Sequence, residues 1–256
     1  MSLDWKAQQS DIRTRFDRDG FVQLSSFFSE SEVGEVLENL ERFIRDRVPS
    51  LPPEHAFYED KADRRTLKQL QNLHGYDSFF GKLTVGGGFE DLATALLGDR
   101  AVAQNLQYFN KPAGIGKGTP AHQDGYYFML EPCLAVTMWL ALEEVDAENG
   151  CVRYIPGSHK RCIRPHQRTT TLGFSQGIAD WSDADEAATV SCPANPGDLL
   201  VHHAMTIHRA DGNQSKTRSR QALGFVYFGE SAKADEKAKA AYVQKLTREM
   251  KAAGKI

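Results

Sequence analysis

The feature that most restricts the fold of this chain is a series of short apolar or alternating segments that begins near residue 101. In the clearest segment, 133–145, the apolar residues Val136, Met138, Leu140 and Leu142 occupy every second position. A period of two is typical of a strand, because successive side chains point to opposite faces of a sheet. The other segments of this kind are 101–109, 152–155, 199–203, 206–209 and 222–228. Many short strands separated by Gly, Pro and Asn predict a β-sandwich or a jelly roll.

The part of the chain before residue 101 is predicted to be mainly helical. Ser29 and Glu32 have the spacing of a capping box. Behind them, apolar residues recur at helical spacing between Val33 and Ile44, so one face of the predicted helix is apolar. The other elements predicted in this part are a strand at 20–28 and helices near 67–73 and 89–97.

The predicted fold class is mainly β with flanking α. We expect a mainly helical flank at 1–100, a jelly-roll core at 101–228 and a C-terminal helical tail at 229–256. No Gly/Ser/Pro-rich linker separates these parts, so we expect one domain that spans 1–256. The stretch 165–194 has little periodicity and is longer than an ordinary loop, and such insertions often cover a site.

Composition and charge narrow the classes of function. The 256 residues are 41% hydrophobic and 25% charged, with a net charge of −3, so neither a nucleic-acid footprint nor a membrane-surface patch is indicated. The start of the chain lacks a signal-peptide pattern, and no apolar window approaches the roughly 18 residues of a membrane span. The four cysteines show no C-x-x-C spacing, so we expect reduced thiols and a cytoplasmic protein. The expected partner is a small molecule, and the oligomeric state stays open.

Three residues form a candidate metal site. His122 and Asp124 are two residues apart, which on a strand aims both side chains at one point, and His208 follows far downstream. Two histidines and one carboxylate on one face of a metal ion leave about three positions open, the arrangement of non-haem iron(II) oxygenases. An H-x-D triplet alone favours a histidine and a surface aspartate near a turn. His203 competes with His208 for the role of third ligand.

A second candidate site residue is Arg220, which lies in the strand pattern that leads into 222–228. A guanidinium in this place could form a bidentate pair with the carboxylate of a co-substrate. The alternative is an ordinary arginine at the edge of a strand.

Several further motifs occur in order between about residues 15 and 228. They are Gly20-Phe21-Val22, His122-Gln123-Asp124, Glu148-Asn149-Gly150-Cys151, Pro156-Gly157-Ser158-His159, Pro196-Gly197-Asp198-Leu199, His208 and Arg220-x-Ala222. In this order and spacing they resemble the phytanoyl-CoA dioxygenase family of iron(II)- and 2-oxoglutarate-dependent oxygenases. The resemblance implies a double-stranded β-helix, the cupin-like form of the jelly roll, and covers nearly the whole chain outside the tail.

The resemblance also assigns roles to individual residues. It makes His122, Asp124 and His208 the iron ligands, and Arg220 the partner of the distal carboxylate of 2-oxoglutarate. It places further co-substrate contacts at Lys68, Gln104 and Trp139. The family usually has Gly-Ser after the distal histidine, where the serine helps to hold 2-oxoglutarate, but this chain has Arg209-Ala210.

The function implied by the resemblance is that of a dioxygenase that uses iron(II), 2-oxoglutarate and O2, hydroxylates a small organic molecule and releases succinate and CO2. Acyl-CoA and natural-product-like substrates both remain open. Related halogenases replace the carboxylate ligand by a small residue, so Asp124 argues for hydroxylation or another oxidation. The alternatives are a jelly-roll metalloenzyme that performs no oxidation and a non-catalytic small-molecule binding protein of the same fold.

Overall fold

The protein is built around two antiparallel β-sheets, and a computed structural model describes residues 3–169 and 176–252. The strands in this part of the chain are β1 Phe21–Leu24, β2 Ala56–Tyr58, β3 Leu67–Leu70, β4 Ala101–Asn110, β5 Thr119–His122, β6 Leu130–Glu131, β7 Ala135–Ala141, β8 Val152–Tyr154, β9 His166–Arg168, β10 Gln176–Ile178, β11 Val190–Cys192, β12 Leu199–His203, β13 His208–Ala210, β14 Gln221–Gly229 and β15 Lys233–Ala234. The helices are α1 Gln9–Asp19, α2 Glu30–Asp46, α3 Leu73–Tyr76, α4 Ser78–Thr84, α5 Gly88–Leu97, α6 Gly125–Phe128, α7 Asp183–Ala187 and α8 Glu236–Ala252.

The larger sheet has the strand order β1-β12-β7-β14-β4-β3-β2, and the smaller one has the order β11-β8-β13-β5. Side chains from both sheets line one cavity, which therefore lies between them. The pairs β10-β9 and β15-β6 form two small additional sheets. The predicted class, mainly β with flanking helices, is confirmed.

Strand β7 shows how the alternating pattern builds the two sides of the larger sheet. Val136, Met138 and Leu140 pack into the main hydrophobic core with the N-terminal helices. Thr137 and Trp139, on the other face, line the cavity. Because helices cover one face and the smaller sheet covers the other, every residue of β7 is buried.

Helix α2 begins with the predicted capping box. The backbone N–H of Glu32 donates to the Ser29 hydroxyl, and the backbone N–H of Ser29 donates to the Glu32 carboxylate at 2.7 Å. Its predicted apolar face includes Val33 and Phe43, both buried against the larger sheet. The helix predicted near 89–97 is also confirmed as α5.

The prediction of a helix near 67–73 is wrong. Leu67–Leu70 form β3, which pairs with β2 and β4, and α3 begins only at Leu73. All four residues of β3 are buried, so no exposed polar position alternates with the apolar ones and the period of two is missing. Asn72, with a φ of 61°, separates the strand from α3. The flank at 1–100 thus gives three strands to the larger sheet, where the sequence predicted one.

The tail contains α8, as predicted. Within 165–194, the structure places β9, β10, α7 and β11, while 170–175 lie outside the described residues. Over the part of the chain that the structure describes, no helix is both long and apolar enough to cross a membrane.

Candidate active site

His122, Asp124 and His208 come together at one end of the smaller sheet. Each offers one ligand atom, and the three atoms all lie within 4.8 Å of one another. The two histidines are paired across β5 and β13, so the strand register itself brings their side chains together. Asp124 Oδ1 lies 3.4 Å from Nε2 of His122 and 3.8 Å from Nε2 of His208.

Asp124 reaches this position from a turn and not from a strand. The H-x-D spacing predicts His122 and Asp124 on one strand, but β5 ends at His122. Asp124 has helical dihedral angles (φ −59°, ψ −33°) and directly precedes α6. The chain therefore turns immediately after His122, and this turn directs the Asp124 carboxylate toward the cavity.

Both histidines are held in the tautomer that a metal requires. Nδ1 of His122 lies 2.8 Å from the carbonyl oxygen of Pro120, and Nδ1 of His208 lies 3.0 Å from that of Thr206. In each ring Nδ1–H donates to the carbonyl, which leaves the lone pair of Nε2 directed at the cluster. Burial also lowers the pKa of His208 well below its ordinary value, so this imidazole is neutral and free to act as a ligand. Two imidazoles and a carboxylate fit iron(II) with open coordination positions.

The cavity next to this cluster has a volume of about 240 Å³ and also contains Arg220. Arg220 is 4% exposed, and its Cζ lies 5.1 Å from the centre of the Trp139 ring. Its Nε has no hydrogen-bond partner, and the guanidinium forms no ion pair with any described residue. Burial lowers the pKa of Arg220 to about 10, which still leaves it charged at neutral pH. A buried cation without a partner is costly, so the site is suited to an anion.

Solved structures show the same fold. The non-haem α-ketoglutarate-dependent carbocyclase SnoK from nogalamycin biosynthesis superposes with a TM-score of 0.74, covering 91% of this chain and 89% of that chain at 23% identity. This likeness establishes the fold and confirms the predicted jelly roll.

Relatives match the chain over most of its length. A Caenorhabditis elegans phytanoyl-CoA dioxygenase domain-containing protein 1 homolog is 25% identical over 256 residues, 83% of this chain and 88% of that protein. Phytanoyl-CoA dioxygenase 1 of Oryza sativa subsp. japonica is 30% identical over 250 residues, 81% of this chain and 84% of that protein. The family model for phytanoyl-CoA dioxygenase (PhyH) matches residues 16–222. The chain belongs to the phytanoyl-CoA dioxygenase family. It is accordingly a 2-oxoglutarate-dependent dioxygenase with iron as its metal.

Two of the co-substrate contacts inferred from the phytanoyl-CoA dioxygenase family lie at the cavity. Trp139 supports Arg220 from β7. Lys68 also lines the cavity, but its Nζ lies 3.0 Å from Oε1 of Glu59, and both side chains are buried. Part of the positive charge of Lys68 is therefore already balanced by the protein, in contrast to that of Arg220.

The structure does not bring Gln104 to the site. Its side chain is exposed, and Nε2 donates to the carbonyl oxygen of Val102 at 3.2 Å. The pairing of β4 with β14 shifts register at this point, because Asn105 lies opposite Val226 and Ala103 opposite Tyr227, which leaves Gln104 in a bulge. Two neighbours on the same strand, Asn105 and Gln107, line the cavity in its place.

His202, which the sequence analysis did not select, faces the metal cluster, and His203 does not. Nε2 of His202 lies 3.2 Å from Oδ2 of Asp124. His203 points to the opposite face of β12, where its ring lies 5.9 Å from that of His159 and burial lowers its pKa to about 4. The proposed competition between His203 and His208 is therefore wrong. Alternation separates the two adjacent histidines, but only the pairing of β12 with β7 decides which one faces inward.

Two of the three aromatic residues that follow Asp124 contribute to the cavity. Tyr127 and Phe128 line the cavity, whereas the ring of Tyr126 stacks on His166 at 4.2 Å. The Tyr127 hydroxyl donates to the carbonyl oxygen of Gln176 at 2.8 Å, so the stretch 165–194 contacts the cavity wall. Tyr127 also lies 6.3 Å, ring to ring, from Tyr242 of α8.

At the Arg209-Ala210 departure from the family pattern, both residues line the cavity, but the Arg209 side chain is engaged by acidic groups. The Arg209 guanidinium donates to Oε1 of Glu186 at 2.7 Å and pairs with Asp211. Ala210 lies opposite Thr119 across β13 and β5 and lines the cavity. The position of the family serine is therefore filled by a methyl group.

We expect Ala210→Ser to tighten 2-oxoglutarate binding by about tenfold or more, because a hydrogen bond to a charged group contributes about 1.5–3 kcal/mol. The measurement is the dissociation constant of 2-oxoglutarate for the iron-loaded protein without oxygen. Ala210→Cys is the matched control, since it adds similar volume with only a weak donor. Equal effects of serine and cysteine would show that volume, and not a hydroxyl, matters here.

Proposed function

We propose that the protein hydroxylates a small organic molecule with 2-oxoglutarate and O2 as co-substrates. One oxygen atom of O2 enters the product, and the other enters succinate, which forms as 2-oxoglutarate loses CO2. The observation that most supports this function is that one cavity contains the cluster of His122, Asp124 and His208 and also the buried Arg220, which forms no ion pair within the described residues. The cluster can bind a metal, and the guanidinium can bind the anionic end of a keto acid.

The protein side chains have separable roles in this proposal. His122, Asp124 and His208 would hold iron(II), which when bound supplies the open coordination positions for the keto acid and oxygen. Arg220 would pair with the distal carboxylate, and the Trp139 ring beneath it keeps the guanidinium in place and shields it from water.

The volume and the lining of the cavity favour a small and polar substrate. About 240 Å³ lies below the roughly 300–1,000 Å³ of pockets that enclose drug-sized ligands, and 2-oxoglutarate must share this space. Most of a CoA ester would have to lie outside. The Oε1 atom of the buried Gln69 has no hydrogen-bond partner in the part of the chain that the structure describes, so the wall offers an acceptor to an N–H or O–H group of the substrate.

We also propose that residues 1–256 act as one domain, because β1, β2 and β3 of the N-terminal flank pair within the same sheet as the core strands. The site residues are thereby supported from both parts of the chain. The cytoplasmic location stays a prediction.

A spectroscopic titration tests the proposed function directly. Anaerobic addition of iron(II) and then 2-oxoglutarate should produce a weak visible charge-transfer band, because the keto acid can chelate a metal only at open coordination positions. Succinate, which lacks the keto group, is the control and should give no band. A metal-replete, folded protein without a band on adding 2-oxoglutarate would exclude the oxygenase function.

A further inference from the structure

The two oxygen atoms of the Asp124 carboxylate lie in different surroundings. Oδ1 faces Nε2 of His122 and of His208, at 3.4 and 3.8 Å. Oδ2 accepts a hydrogen bond from the Thr137 hydroxyl at 2.6 Å and lies 3.2 Å from Nε2 of His202. One oxygen is therefore directed at the metal cluster, and the other is engaged by protein groups.

The strand register explains why His202 and Thr137 act on the same atom. His202 of β12 lies directly opposite Thr137 of β7 in the larger sheet. Residues opposite each other in an antiparallel pair project to the same face, which here is the cavity face. His202 and Thr137 thus approach Asp124 together from the larger sheet, whereas the histidine ligands lie on β5 and β13 of the smaller sheet.

A third residue fixes the proton on His202. The hydroxyl of Tyr154 lies 3.1 Å from Nδ1 of His202, and burial raises the pKa of Tyr154 well above its ordinary value. The phenol is therefore protonated, and because Nε2 on the other side of the ring faces the Asp124 carboxylate, which can only accept, the hydroxyl donates a hydrogen bond to Nδ1. The remaining ring proton is then on Nε2, which makes His202 a donor to Oδ2 of Asp124.

We propose that His202 is a positioning residue. Together with Thr137, it holds Oδ2 of Asp124 in hydrogen bonds and so leaves Oδ1 as the carboxylate atom that binds the metal. This inference rests on the proposed function. A carboxylate that bound through both oxygens would occupy one of about three positions that the keto acid and oxygen need. His202 itself is not in the cluster whose ligand atoms lie within 4.8 Å of one another, so its role is exerted through Asp124.

The test is the affinity of the full-length protein for iron(II), measured by anaerobic titration. His202→Phe keeps an aromatic ring and removes the donor, and we expect about 10–100-fold weaker iron binding, the usual effect of losing an outer partner of a ligand. His202→Gln can place an amide N–H near the position of Nε2 and should recover most of the affinity. His203→Phe, the same change on the opposite face of β12, should leave the affinity unaltered.

A double-mutant cycle with Thr137→Val tests whether the two donors act on one atom. The double variant should lose affinity by a factor that differs from the product of the single losses, since both changes alter the environment of Oδ2. Residues that act independently would give simple multiplication, and that result would overturn a shared role on Asp124.

Other outcomes are equally decisive. If folded His202→Phe binds iron(II) as tightly as the unaltered protein, the inference is wrong and the proposed function stands. If His202→Phe does not fold, His202→Gln carries the test, and a loss as large as that of Asp124→Ala would refute a donor role. If the unaltered protein does not bind iron(II), the proposed function itself fails.

Discussion

Replacement of Asp124 by alanine should abolish iron(II) binding and succinate release. The change removes the one carboxylate of the three-residue cluster and leaves two imidazoles, which supply no negative charge to balance a divalent ion. Loss of an outer partner alone typically costs about 10–100-fold in metal affinity, so loss of a ligand should cost more than about 100-fold. Anaerobic iron titration and a succinate assay measure the two effects, and His122→Ala should reproduce both.

The control for this prediction is Asp11→Ala. Asp11 is a mostly exposed carboxylate on α1 that pairs with Arg15 one turn away. This variant should bind iron(II) and release succinate as the unaltered protein does. An Asp124→Ala variant that kept its iron affinity would remove Asp124 from the ligand set.

Replacement of Arg220 by alanine should raise the dissociation constant of 2-oxoglutarate about 30-fold or more, because removing one partner of a buried charge pair costs about 2–5 kcal/mol. Iron(II) affinity should stay unchanged, since Arg220 is not part of the metal cluster. The 2-oxoglutarate dependence of succinate release and an anaerobic iron titration separate the two quantities. Arg220→Lys should fall in between, because it keeps the charge and loses the planar fork.

Two comparisons make the Arg220 prediction specific. Arg218 lies two residues away but pairs with Asp146 and Glu148 at the surface, so Arg218→Ala should leave 2-oxoglutarate binding unaltered. Arg220→Met fills similar space without charge and should not lower the melting temperature of the protein without ligands, because within the described residues Arg220 forms no ion pair and its Nε has no hydrogen-bond partner. A clear destabilisation by Arg220→Met would mean that this arginine serves the fold and not the co-substrate.

The elements that could be predicted from the sequence are those whose pattern is local. The alternation in β7, the capping box at Ser29 and the apolar face of α2 each depend on residues close together in the chain. The ordered motifs indicated the family, and the family in turn implied the metal ligands His122, Asp124 and His208, which the structure brings together.

The errors arose where a distant strand decides the outcome. β3 is covered on both faces and carries no alternation, so its identity depends on β2 and β4. Gln104 lies in a bulge that exists only through pairing with β14. The choice between His202 and His203 depends on the register of β12 against β7. In each case the sequence pattern is compatible with two local structures, and the pairing with a distant strand decides between them.

The pairing of His122 with His208 has a consequence for the thermodynamics of folding. A metal held by both residues joins β5 to β13, two strands separated by a long segment of chain, and thereby acts as a removable cross-link across the smaller sheet. An ion that binds only the native state stabilises that state in proportion to the logarithm of its free concentration once the site is saturated. The free energy of unfolding therefore depends on the supply of iron. When iron is scarce, the protein would lose stability as well as activity.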